Sequence, residues 1–181
     1  FPKEVSNKIG KTLQNTWKNL PPARRMLLKL LSRFELTAPQ ATQYFVHEAK
    51  ERETLKINVS DAELLENPYR LYELDRFSPD PILLATIDRG LFPDETIRQK
   101  YPLPAPSKLN DALDPRRIRA FAIRQLELAS LDGHTLKPRT QVIQEIRELD
   151  VQPACPVTGD HMEGIQQTFE PTIRIGQLDD G

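Results

Sequence analysis

One cysteine, seven glycines and few aromatic residues (7%) stand out as scarcities in this chain of 181 residues. The single Cys155 excludes an internal disulfide framework and a multi-cysteine zinc site, and it suits a reducing, cytoplasmic setting. No apolar run approaches the roughly 20 residues that a membrane span requires, and the N-terminus has no apolar signal-peptide core, so no membrane partner is expected. Phosphate-cradling glycine motifs are missing as well: there is neither a G-x-x-x-x-G-K-[ST] loop nor a G-x-G-x-x-G turn. His47, His134 and His161 have no ligand spacing, and H-E-x-x-H is absent. Cys155 and His161 could pair as nucleophile and base, but an idle thiol is the simpler reading. No catalytic residue, metal ligand or cofactor is assigned to this chain.

What is present is charge and proline. Charged residues make up 28%, and sixteen prolines point to many short elements with stiff connections. The net charge of −1 conceals an asymmetry. Phe1 to Ser60 carries 11 Lys and Arg against five Glu, leaving 14 basic and 21 acidic residues for the remainder. After Asp150 the only Lys or Arg is Arg174. A basic front and an acidic tail imply different neighbours for the two ends.

Apolar spacing predicts an all-α fold. Val5, Ile9, Leu13, Trp17 and Leu20 make one stripe of a helix over 3–19, flanked by lysines. Pro21-Pro22 ends it and starts a second over 22–33, with Ala23, Met26, Leu27, Leu30, Leu31 and Phe34 inward. Thr37 is a suitable N-cap for a helix over 38–52. Ser60 and Glu63 have capping-box spacing for a short helix ending before Asn67-Pro68. Ser78-Pro79 marks a helix over 79–89, closed by Gly90. Asp114-Pro115 caps the longest helix, over 115–132, with Gly133 as its stop, and another covers 139–149. From Val151 the helical period is lost, and Thr168 to Ile175 alternates as a short extended or β segment would. The expected organisation is a basic helical-hairpin region at 1–72, a proline-rich connection with a short helix at 73–106, a helical subdomain at 107–150 and an acidic extended tail at 151–181.

Two landmarks are more specific. Leu65-Glu-Asn-Pro-Tyr-Arg-Leu71 is one; the other is Asp114-Pro-Arg-Arg-Ile-Arg-Ala120 with the later Asp132-Gly-His-Thr135 and Leu136-Lys-Pro138. Their order and content resemble the N-terminal helix-hairpin-helix region of the RecD-like superfamily 1 DNA helicases, over roughly Leu20 to Leu149. The family pairs this region with an ATPase motor, so the resemblance implies an accessory domain ahead of a downstream motor. ATP and Mg would belong to that motor alone. The chain departs from the family in its glycines, and the first connection, Phe34-Glu-Leu-Thr37, has none. The glycine-bracketed hairpin that follows NPY is replaced by a proline-rich stretch whose one glycine is Gly90, which removes the close backbone approach to phosphate that such glycines permit.

The expected function is therefore guiding DNA or docking a partner, with no catalytic site in this chain. DNA would be held through its phosphates by Lys8, Lys11, Lys18, Arg24, Arg25, Lys29 and Arg33 in the front. Arg116, Arg117, Arg119, His134 and Lys137 are secondary candidates in the long helix and beyond. His134, just after Gly133, could instead serve the helix end. The alternative is a protein-interaction module, in which apolar helical faces and the acidic tail bind another subunit.

Overall fold

Prolines and caps divide this chain into short helices, and a computed structural model describes them for residues 10–45, 59–109 and 111–177. Among these residues every regular element is helical. In chain order the α-helices are α1 (Lys11–Asn19), α2 (Pro22–Leu31), α3 (Ala38–Phe45), α4 (Asp61–Glu66) and α5 (Arg70–Asp75). They continue as α6 (Leu84–Leu91), α7 (Glu95–Lys100), α8 (Pro115–Leu131), α9 (Arg139–Arg147) and α10 (Gly159–Gly164). Single 3₁₀ turns lie at Ala105–Ser107 and Gln166–Thr168.

The local signals behave as their chemistry requires. The Ser60 and Glu63 side chains each bond the other's backbone N–H, the reciprocal box that starts α4. The Thr37 hydroxyl accepts from the Gln40 N–H while the Gln40 side chain accepts from the Thr37 N–H, opening α3. Asp114 accepts from the Arg116 N–H at the head of α8. At its other end Gly133 has φ +87°, a conformation that glycine adopts without a Cβ clash. The Gly133 N–H then reaches the Ser130 carbonyl and the His134 N–H reaches that of Ala129, closing the helix with a Schellman motif.

One cluster of buried side chains runs from Leu27 to Phe169 and draws on all four stretches of the chain. Helix α8 lies at its centre, burying Ile118, Ala120, Phe121, Ala122 and Ile123 and packing against α5, α6 and α9. Helix α2 lays Leu27, Leu30 and Leu31 against α4. The proline-rich segment before α8 is anchored to this core, because the buried Ser107 hydroxyl donates to the Leu65 carbonyl.

Several expected boundaries shift, each for a local reason. The helix expected over 79–89 begins at Leu84 instead. Prolines 79 and 81 precede it, and the Asp75 carboxylate holds the Ile82 N–H outside any helix. Gly90 lies inside α6 rather than after it; a Cβ there would come within 2.3 Å of the Phe34 ring. No strand forms over Thr168 to Ile175. Pro171 interrupts that stretch, and the Ile173 N–H bonds the Phe169 carbonyl four residues back. The apolar alternation there records one turn that sets Phe169 and Ile173 on the core. Helices α5, α7 and α10 are additional, each six residues long and too short to show a period. The parts of the helices expected over 3–9 and 46–52 lie outside the described residues.

Candidate functional site

The two sequence landmarks meet inside the protein. Arg117 of α8 is 0% exposed, and its guanidinium bonds both carboxylate oxygens of Asp88 in α6, at 2.8 and 2.9 Å. The Tyr69 hydroxyl donates to the same carboxylate at 2.6 Å. Two further N–H groups of Arg117 reach the carbonyls of Ala112 (2.9 Å) and Pro153 (2.7 Å). Phe92 and Phe121 lie against the guanidinium, with ring centroids 4.6 and 5.0 Å away. Burial, reinforced by the Asp88 charge and hydrogen bond, raises the Tyr69 phenol well above its ordinary value. A fully desolvated ion pair with four of the five guanidinium N–H groups bonded is a structural device. It joins the turn after α4, helix α6, helix α8 and the segment before α10.

The other expected cations of α8 are also engaged inside the fold. Arg116 bonds the Asp114 carboxylate twice, at 2.8 Å, and reaches the carbonyls of Glu66, Pro106 and Lys108. Arg119 forks onto Glu73 through two bonds of 2.9 Å and also touches Thr168 and Thr172. Lys137 pairs with Glu145. In the front, Arg24 bridges Asp61 at 2.8 Å and donates to the Tyr44 carbonyl. Arg24, Arg116, Arg117, Arg119 and Lys137, all expected at phosphates, thus each have a carboxylate partner within the protein. The sign of their charge was readable; the carboxylates that face them were not.

The remaining candidates stay at the surface. Lys11, Lys18 and Lys29 are exposed and Arg25 and Arg33 are half-buried; none forms an ion pair among the described residues. His134 is exposed, and its backbone N–H, not its ring, serves the helix end. Lys8 lies outside the described residues. Lys29 and Arg33 line a groove of about 740 Å³ with Arg89, Lys100, Tyr101 and Ile97. Lys29, Arg89 and Lys100 stand in the last turns of α2, α6 and α7, where the negative helix end favours a cation. Partial burial pushes the Arg33 guanidinium below its ordinary value, and no carboxylate compensates it among the described residues. Glu35 also lines the groove and meets Arg89 at 3.2 Å, both largely exposed, a pairing of little strength. Sequence reasoning missed Arg89, Lys100 and Tyr101; the signal available was the adjacent Lys100-Tyr101 pair at a helix end.

The pairing of Cys155 with His161 finds no support. Cys155 is buried, and desolvation raises its thiol, the wrong direction for a nucleophile. His161 Nδ1 is engaged by Thr158 in the cap of α10. No group of three His, Cys, Asp or Glu side chains suited to a metal ion occurs among the described residues. No helix among them is long and apolar enough to cross a membrane. No known protein family, no curated protein and no solved structure matches this chain.

Proposed function

We propose that this chain is a non-catalytic helical module that holds DNA by its phosphates, as an accessory domain of a RecD-like ATP-dependent helicase. In this reading a separate motor binds ATP and Mg, and the module keeps the strand in register. The supporting observation is the division among the cations. Those of α8 are committed to internal partners, while Lys29, Arg33 and Lys100 gather at one groove with no carboxylate partner among the described residues. Lys and Arg side chains of this kind neutralise phosphates without reading bases.

A second reading, docking of a protein subunit, draws on α1. That helix buries none of its residues, leaving Leu13 58% and Trp17 39% exposed beside Lys11 and Lys18. Salt separates the two readings. Phosphate binding weakens by about 0.7 to 0.9 log units per neutralised phosphate for each tenfold rise in salt, whereas an apolar contact does not. The test is fluorescence anisotropy of labelled DNA across a salt series, with wild type and the variant Lys29→Gln/Arg33→Gln/Lys100→Gln. Tight low-salt binding by wild type and a shallower slope for the variant are expected. No binding by wild type at low salt would leave the docking reading in place.

A further inference from the structure

The groove contains more than charge. Tyr101, which follows α7, is 58% exposed, so its ring is open to a ligand. Ile97, one turn earlier on α7, is 47% exposed and lines the same groove. The Lys100 ammonium lies 5.3 Å from the Tyr101 ring centroid, so cation and ring face come within reach of a single nucleotide. Pro93 and Pro102 complete the lining with rigid apolar surface.

We infer that this groove binds unpaired, single-stranded DNA, with a base stacked on Tyr101 and the adjoining phosphates on Lys29, Arg33 and Lys100. The inference rests on the phosphate-binding reading and specifies it. An aromatic face beside a line of cations is the combination used where strands are held without regard to sequence, since every base has a π-face. A duplex keeps its base faces stacked internally and offers Tyr101 nothing. Arg33 fits the same picture: it is partly desolvated with no carboxylate partner among the described residues, and a phosphate would supply that negative charge. Glu35 opposes the anion from the same groove while pairing with Arg89, which sets a modest ceiling on affinity.

The decisive comparison is between two labelled twelve-nucleotide strands of equal charge, one of thymidines and one abasic, measured by fluorescence anisotropy at low salt. The thymidine strand is expected to bind at least about fivefold tighter, the effect of one stacked base. Tyr101→Ala should abolish that difference while leaving abasic binding unchanged, and Tyr101→Phe, which keeps the ring, should retain it. Because Tyr101 is exposed, circular dichroism of all variants should match the wild type. Glu35→Gln should tighten both strands together. If thymidine and abasic strands bind equally, or Tyr101→Ala retains the full preference, stacking is wrong while phosphate binding stands. If neither strand binds at low salt, the phosphate-binding reading fails and takes this inference with it.

Discussion

Arg117 and Lys29 carry the same charge in opposite circumstances. Arg117 is sealed in the core, with Asp88 on its fork, backbone carbonyls on two further N–H groups and two aromatic rings beside it. Lys29 stands exposed at a groove edge with no carboxylate partner among the described residues. The same contrast holds for their neighbours, with Arg116 and Arg119 fastened to Asp114 and Glu73 while Arg33 and Lys100 have no carboxylate partner among the described residues. A basic residue that fills its donors within the protein acts on stability; one left at the surface is available to a ligand. Clusters of Arg and Lys in a sequence do not by themselves distinguish these uses.

The largest effect should come from the core side of this comparison. Arg117→Ala strands the Asp88 carboxylate in an apolar interior and should destabilise by about 3–5 kcal/mol, read as the urea midpoint. Adding Asp88→Asn to that variant should recover part of the loss, since no lone buried charge then remains. A loss of stability below about 1 kcal/mol would mean that this ion pair does not hold the core together.

Gly90 gives a second, smaller test of how tightly the groove wall is built. Gly90→Ala would place its Cβ 2.3 Å from the Phe34 ring and 3.0 Å from the Arg33 carbonyl. Overpacking of this kind costs about 1–3 kcal/mol, more than the roughly 1 kcal/mol that alanine offers over glycine within a helix. Thermal unfolding should show a lower Tm, whereas an unchanged or higher one would mean that Phe34 moves aside freely.

A pH series sharpens the account of the core further. Burial raises Tyr69 above its ordinary 10.0, and burial likewise raises Cys155 above 9.0. Raised groups favour the folded state while protonated, so their contribution is complete below about pH 9 and declines as the unfolded thiol and then the unfolded phenol ionise. Stability measured from pH 8 to 11 should therefore fall above pH 9, and Tyr69→Phe should lessen the part above pH 10, to which the likewise raised Tyr44 and Tyr72 also contribute. An equally steep fall in that variant would exclude Tyr69 as a source.

Legibility followed the range of the interactions. The box at Ser60 and Glu63, the Asp114 cap and the Gly133 stop act within a few residues, and they placed α4 and α8 correctly from the sequence. The inward face of α2 at Leu27, Leu30 and Leu31 followed from period alone. Asp88 was not legible, because its partners stand 19 and 29 residues away and nothing near it announces them. The groove was half legible. Lys29 and Arg33 lay in the basic front, but Arg89, Lys100 and Tyr101 reach it only through the packing of α6 and α7. The short helices near residues 70–75, 95–100 and 159–164 carry too few turns for a period to show.

The most direct test measures stability and DNA affinity together for two variants with matched chemistry: Lys29→Gln/Arg33→Gln at the groove and Arg116→Gln/Arg119→Gln on α8. Each removes two positive charges. The groove variant should keep the wild-type unfolding free energy within about 0.5 kcal/mol while losing DNA affinity and flattening the salt slope by about 1.4 to 1.8. The α8 variant should lose about 2 kcal/mol of stability and keep the wild-type salt slope under conditions where it remains folded. Equal loss of DNA affinity in both variants, with neither destabilised, would contradict the division of labour on which this account stands.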